Sequence, residues 1–199
     1  MIKSFKDGEV PKQWREANVT PLFKKGCKPD PSNYRPVSLT SVCCKLMEGI
    51  IRDNLMDHLV INNLISPEQH GFVKNRACVT NLLECQDEVT SMLRDGKCVD
   101  VLYTDFSKAF DRVSHRKLAI KLYAYGIRGK MLKWIESFLR DRSQCVVLGD
   151  IESSWRNITS SVPQGGVLSS LLFVLYINIL PEKIINKTKL YSDEGQIRL

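Results

Sequence analysis

The seven residues Val99 to Asp105, Val-Asp-Val-Leu-Tyr-Thr-Asp, restrict the fold more than any other stretch of the chain. Val99, Val101 and Tyr103 alternate with Cys98, Asp100 and Leu102, the period of a strand whose two faces meet different surroundings. Asp105 then falls at the C-terminal tip of that strand. A carboxylate at the mouth of a sheet is costly to desolvate unless a cation, a donor or water meets it there. For a lone Asp a helix cap or a turn is the plain role, and a second carboxylate nearby would change that reading.

Periodicity supplies what surrounds the strand. Leu46/Met47, Ile50/Ile51, Leu55 and Leu59 recur at helical spacing, and so do Val79, Leu82/Leu83, Gln86, Val89 and Leu93, the second series closing near Gly96. Both predict amphipathic helices that face a core. Leu118, Leu122 and Tyr125 share a helical face that Gly126 can end in a left-handed conformation, and Met131, Ile135 and Phe138/Leu139 mark a further helix. The period then changes: Gln144 to Leu148 and Trp155 to Thr159 predict a hairpin across GDIESS. PQGG, residues 163–166, breaks the chain before VLSSLLFVLYINIL, Val167 to Leu180. That stretch predicts a buried helix, since serines and Asn178 interrupt it and it is too short to span a bilayer. Lys189-Leu190-Tyr191 enters a turn at SDEG and Gln196 to Leu199 returns, a short closing hairpin. Pro21, Pro29, Pro31 and Pro36 cluster around FKKGCKPDPSNYRP, a basic surface loop flanked by structure.

With 199 residues, 43% hydrophobic and 26% charged, the chain suits one globular domain or one with two lobes. Its 29 Lys and Arg against 22 Asp and Glu leave a net charge of +7, which attracts polyanions, nucleic acid among them. Seven cysteines, odd in number and without paired CxxC spacing, argue against a zinc site and for reduced thiols inside a cell. The N-terminal MIKSFKDGEVPKQW has no apolar core of a signal peptide. The expected location is therefore intracellular, in cytoplasm or nucleus, neither secreted nor transmembrane.

The second carboxylate is found at the closing hairpin. Asp193 and Glu194 lie at its tip, preceded by an apolar strand able to pair beside the first, so three acids can converge at one end of a sheet. Such a cluster repels itself, and the usual remedies are protonation of one member or a bound divalent cation. Hard oxygen ligands suit Mg²⁺ or Mn²⁺ rather than Zn²⁺. Two such ions can activate an attacking hydroxyl and hold a departing pyrophosphate in an in-line displacement. A solvated turn of common DEG composition is the other reading of the same residues.

VLYTDFSKAFDRVSH, SSVPQGGVLSSLLFVLYINIL and KLYSDEGQI, in that order, resemble the reverse-transcriptase domain of non-long-terminal-repeat retrotransposons, the LINE-type, jockey-like elements. SNYRPVSLTSVCCKLMEGII and SPEQHGFVKNRACVTNLL extend the resemblance over nearly the whole chain. It implies an α+β fold, a right-handed polymerase of fingers and palm whose antiparallel palm sheet packs on helices. Fingers would occupy about 1–95, with a further part near 145–165, and a truncated palm about 96–199. The implied cofactor is Mg²⁺ or Mn²⁺, and the implied partners are an RNA template, a DNA primer and deoxynucleoside triphosphates.

Residue by residue, the resemblance makes Asp105 and Asp193 metal ligands and catalytic residues, with Glu194 where the family usually has another Asp. Phe110 matches the aromatic gate beneath the sugar of the incoming nucleotide, whose ring would clash with a 2′-hydroxyl. Gln164 and Gly165 match the loop that touches that nucleotide, where glycine permits close backbone approach. Lys24, Lys25 and Arg35 fall in the fingers region that meets the triphosphate. Lys74 and Arg76 match a stretch along the template strand, and Tyr191 a position near the primer end.

Departures gather near the chemistry. Glu194 adds a methylene to a ligand that Mg²⁺ holds to narrow geometry. SSVPQGGVLSSLL stands where the family more often shows SGVPQGSVLGPLL, which changes Ser161, Gly166, Ser169 and Ser170; Ile179 and Cys27 each replace an acid. The chain stops at Leu199, so the thumb is expected to be absent, and no endonuclease is expected before Met1. The expected function is RNA-directed DNA polymerase, impaired and weak or inactive alone. The alternative is a retroelement remnant without catalysis that binds nucleic acid or a protein.

Overall fold

The computed structural model describes residues 1–73, 76–185, 188–191 and 194–198, with the backbone alone described for residues 191 and 194–198. In chain order the elements are helices α1 (Ile2–Asp7) and α2 (Lys12–Arg15), strands β1 (Glu16–Phe23) and β2 (Tyr34–Leu39), helices α3 (Val42–Ile61) and α4 (Cys78–Arg94), and strand β3 (Val101–Asp105). Helices α5 (His115–Ala124) and α6 (Gly129–Leu139) follow, then strands β4 (Arg142–Leu148), β5 (Ile151–Glu152) and β6 (Arg156–Ile158), helix α7 (Ser169–Ile177), and strands β7 (Thr188–Tyr191) and β8 (Glu194–Arg198).

The helical core forms where the sequence places its apolar stripes. Helix α7 buries Leu171, Leu172, Phe173, Val174 and Leu175, apolar all round as a central helix must be. Helix α5 packs on both α7 and α6. Leu118 and Leu122 of α5, Trp134, Ile135 and Phe138 of α6, and Met47, Ile51, Leu55 and Leu59 of α3 are all buried. Each such side chain contributes about 1.5–3 kcal/mol over an exposed one. Gly126 ends α5 at φ 82°, where a Cβ would be strained.

Two sheets flank this core. In the first, β1 pairs antiparallel with β2 and parallel with β4, and β4 pairs antiparallel with β5 and β6. The second is antiparallel in the order β3-β8-β7.

Five expectations change. The basic loop is shorter than the proline cluster implies, because Phe23 belongs to β1 and Tyr34, Arg35 and Pro36 belong to β2. Pro21 sits directly opposite Pro36. The Lys24 amide donates to Asn33 O, and alternation from that pair makes the proline pair a non-hydrogen-bonded one, so neither missing N–H interrupts the ladder. Second, the neighbour of β3 is the returning strand β8, with β7 on its far side, because the hairpin inserts its second strand into the sheet. Third, Glu194 and Gly195 of SDEG are strand residues and not turn residues, pairing with Asp105 and Thr104. Fourth, Leu46 and Ile50 of α3 are exposed, and the buried stripe is the strict four-residue series from Met47 to Leu59.

Fifth, helix α4 is rotated from its expected setting. Val79, Leu82, Leu83 and Leu93 are exposed, while Asn81 and Cys85 are buried. Polar contacts accompany that rotation: Glu84 meets Lys189 of β7 and Thr80 meets His70, both from the exposed margin of a face on which Asn81 and Cys85 turn inward.

Candidate active site

Strand β3 delivers Asp105 to its C-terminal end, exposed to solvent. Asp105 lies in register with Glu194, and Glu194 lies in register with Tyr191, so the three form one transverse row across β3, β8 and β7. Directly opposed Cα atoms in such a ladder are roughly 4.5–5.5 Å apart. The returning strand of the closing hairpin thus lies beside the end of β3. Asp193 lies outside the described residues, as does Lys74.

Phe110, Gln164 and Gly165 are brought together by the turn after β3 and the segment before α7. Phe110 opens a short 3₁₀ turn, half-buried, its ring stacked on Phe173 at 4.8 Å between centroids. The Val162 amide donates to Phe110 O at 3.0 Å and the Ser161 amide to Val113 O at 3.0 Å. Gln164 Nε2 donates to Asp111 Oδ1 at 3.2 Å. On the other side of the loop the Ser38 amide of β2 donates to Gln164 O at 2.7 Å. Gly165 has φ 99°, and a Cβ there would lie 3.2 Å from Ser38 O, so both conformation and space call for glycine. The PQGG loop therefore joins the β1–β2 hairpin to the exit of β3. A polar cavity of about 300 Å³ opens beneath it, lined among others by Asp111, Arg142, Gln144 and Gln164.

Lys24, Lys25 and Arg35 are exposed at the far end of the β1–β2 hairpin. That end is built to hold its shape. Asp30 Oδ1 accepts from the Ser32 amide at 2.8 Å, a bond that lowers the Asp30 carboxyl from its ordinary pKa. Asn33 Nδ2 donates to Cys27 O at 2.9 Å and the Tyr34 hydroxyl to Lys28 O at 2.9 Å. Arg76 is committed locally: its Nη1 donates to the carbonyls of Ser66, Pro67 and Gln69 at 3.3, 2.5 and 2.7 Å.

Two residues that the motif reading passed over organise this region. Asp111, the second acid of DFSKAFD, orients Gln164. Glu48 is fully buried on α3, and its Oε2 accepts from the Leu168 amide at 3.0 Å, fixing the approach to α7. Its other oxygen lies 3.5 Å from the Cys44 thiol; burial first, and Glu48 second, push that thiol above its ordinary pKa. Only the position of each within a quoted motif could have pointed to them.

Carboxylates at positions 105, 193 and 194 are all oxygen donors, the chemistry that suits a hard divalent cation; the Asp193 residue and the Glu194 side chain lie outside what the structure describes. Among the described residues no three His, Cys, Asp or Glu side chains come together as a group able to hold a metal ion.

Residues 24–197 match the reverse transcriptase (RNA-dependent DNA polymerase) family, and the chain belongs to it. Enzymes of that family generally use divalent metals. The chain is 31% identical over 179 residues to the "probable RNA-directed DNA polymerase from transposon BS" of Drosophila melanogaster, covering 86% of this chain and 19% of that protein. With the RNA-directed DNA polymerase from mobile element jockey of the same fly it shares 28% identity over 175 residues, 87% of this chain and 19% of that protein. It spans about a fifth of the length of these curated relatives. Among solved structures, apo telomerase from Candida tropicalis truncated from its C-terminal domain superposes with a TM-score of 0.65 at 14% identity, over 99% of this chain and 47% of that one. Telomerase from the same yeast in complex with the TWJ fragment of telomeric RNA gives 0.66 at 11% identity, over 99% of this chain and 38% of that one. The α+β fold is shared with these telomerases. Among the described residues no helix is long and apolar enough to cross a membrane.

Proposed function

We propose that this chain is the fingers and palm of an RNA-directed DNA polymerase, which extends a DNA primer on an RNA template with deoxynucleoside triphosphates. The observation that carries the reading is the register of Asp105 with Glu194, which joins the two acidic motifs of a reverse-transcriptase family member in one row of a sheet. On this reading the fingers comprise about 1–95 with a part near 145–165, and the palm about 96–199. Asp105, Asp193 and Glu194 hold Mg²⁺ or Mn²⁺, which when bound supplies charge neutralisation at the triphosphate and a more acidic primer hydroxyl. Lys24, Lys25 and Arg35 draw the triphosphate to the hairpin tip as point charges and a planar fork. Phe110, braced by Phe173, excludes a 2′-hydroxyl, and Gln164, oriented by Asp111, faces the incoming nucleotide with Gly165 allowing close approach. Lys74 meets template phosphate, Arg76 stiffens the segment beside it, and Tyr191 supports the primer end. All seven cysteines are free thiols, which accords with an intracellular setting.

Primer extension on an RNA template, with purified chain, deoxynucleotides and Mg²⁺ or Mn²⁺, tests the reading. Synthesis is expected to be slow and to vanish in Asp105→Ala; synthesis unchanged by that substitution would overturn it.

A further inference from the structure

Strand β7 carries the chain into the acidic hairpin, and its outer edge is clamped by residues 68–70. The Leu190 amide donates to Glu68 O at 2.9 Å and the His70 amide donates to Leu190 O at 2.9 Å, with Gln69 lying parallel beside Leu190. The clamp is ionic as well. Lys189 Nζ lies 2.8 Å from Glu68 Oε2 and 2.7 Å from Glu84 Oε2, joining the clamp segment, β7 and α4 through the ammonium of a residue that is 7% exposed. His70, itself buried, places Nε2 3.4 Å from the same Glu84 oxygen, and Arg76 holds the clamp segment by three carbonyls.

An ammonium this buried is expensive to desolvate, and an apolar side chain would fill the same space at lower cost. Two carboxylates from two other elements do what methyl groups do not: they fix the direction and register of the strand that bears them. Three residues further along, the chain reaches Ser192-Asp193-Glu194, where a small shift of β7 would move metal-binding carboxylates.

We propose that Glu68 and Glu84, acting through Lys189, are positioning residues that set the acidic hairpin opposite Asp105; the proposal rests on the polymerase reading of that hairpin. None of the three touches substrate. Their effect is on how well the acids hold a cation, and so on turnover more than on nucleotide binding.

The test compares Lys189→Met, Lys189→Arg and Glu84→Gln with the full unaltered chain. Glu84 is half-exposed on α4, so Glu84→Gln leaves the fold intact even where Lys189→Met does not. Mn²⁺ binding followed by electron paramagnetic resonance, hydrogen exchange at the Leu190 and His70 amides, and kcat and KM for deoxynucleotide in primer extension are measured together. Lys189→Met and Glu84→Gln should weaken Mn²⁺ binding and lower kcat by about tenfold and severalfold respectively, with KM little changed. Exchange at Leu190 should quicken, and Lys189→Arg should restore most of each loss. Unaltered Mn²⁺ affinity and kcat in Glu84→Gln and in a folded Lys189→Met would overturn the proposal, whatever the exchange rates. If the unaltered chain neither binds Mn²⁺ nor extends a primer, the polymerase reading fails; unchanged exchange at Leu190 in the variants would separately overturn the clamp.

Discussion

Ser169 Oγ occupies the space beside Gly166: a Cβ placed on that glycine would lie 2.5 Å from it and 3.1 Å from Glu48 Oε2. In SGVPQGSVLGPLL, the motif this segment resembles, Ser and Gly stand at positions 166 and 169, so Gly166 and Ser169 exchange one side chain across a single gap.

Gly166→Ser alone should therefore destabilise the chain by about 1–3 kcal/mol through overpacking. Adding Ser169→Gly should recover most of that loss, because Ser169 Oγ is buried without a hydrogen-bond partner among the described residues. Urea melts of the four proteins in the cycle measure the coupling. Simple additivity would show that the two positions are independent.

Ser161 is a departure without such compensation. Its φ of 98° lies where a Cβ is strained, at a position where the motif the chain resembles has glycine. The backbone is held there by the Ser161 amide on Val113 O and by His115 Nε2 at 2.6 Å from Ser161 O, bonds that a glycine keeps. Ser161→Gly should stabilise the chain by about 1 kcal/mol, read as a raised urea midpoint at constant slope.

What was legible in the sequence was whatever depends on local pattern. Strand β3, helices α5, α6 and α7, the left-handed Gly126 and the meeting of Asp105 with the closing hairpin all follow from periods and turn residues within short windows. Two failures have one cause, since distant partners decided the outcome. The apolar stripe of α4 is real, but the helix meets Lys189, 105 residues from Glu84, off that stripe. Asp111 gains its role from Gln164, 53 residues away. Strands β1 and β2 were obscured differently: their prolines read as breakers, and only the facing of Pro21 by Pro36 makes them harmless.

Acid should loosen the Lys189 clamp in two stages. Burial holds the His70 imidazole below its ordinary pKa, opposed by Glu84 and assisted by Lys189 and Arg76, so the folded state favours neutral His70. A depressed pKa gives stability that is present above the unfolded value of about 6.5 and lost as pH falls below it. The hydrogen bond from Lys189 lowers the Glu84 carboxyl, a contribution lost as pH falls below about 4.3. Thermal midpoints should fall from pH 7 to 3, and His70→Gln should remove the upper step. A profile identical in His70→Gln would exclude that imidazole as its source.

Nucleic-acid binding should depend on salt through the hairpin tip. Lys24 and Lys25 on a braced loop and Arg35 at the start of β2 are exposed cations, and each phosphate contact adds about 0.7–0.9 to the slope of log affinity against log salt. Replacing all three with Ala should flatten that slope for primer-template by about two, measured by fluorescence anisotropy; an unchanged slope would remove the tip from the binding surface.

Glu194 carries the sharpest test of activity. Its backbone pairs with Asp105 in the ladder, at a position where the motif the chain resembles has Asp, a side chain shorter by one methylene. Mg²⁺ demands near-ideal octahedral geometry, and about 1.4 kcal/mol of lost transition-state stabilisation is tenfold in rate. Residual extension should therefore be greater with Mn²⁺ than with Mg²⁺. Glu194→Asp should raise the Mg²⁺ rate by about tenfold or more and narrow the difference between the metals, while Asp105→Ala abolishes extension with either. A folded Glu194→Asp protein that binds primer-template yet extends no faster would show that this methylene does not limit catalysis. The strain at Ser161, beside the loop that orients Gln164, would then be the next place to restore, through Ser161→Gly in the same assay.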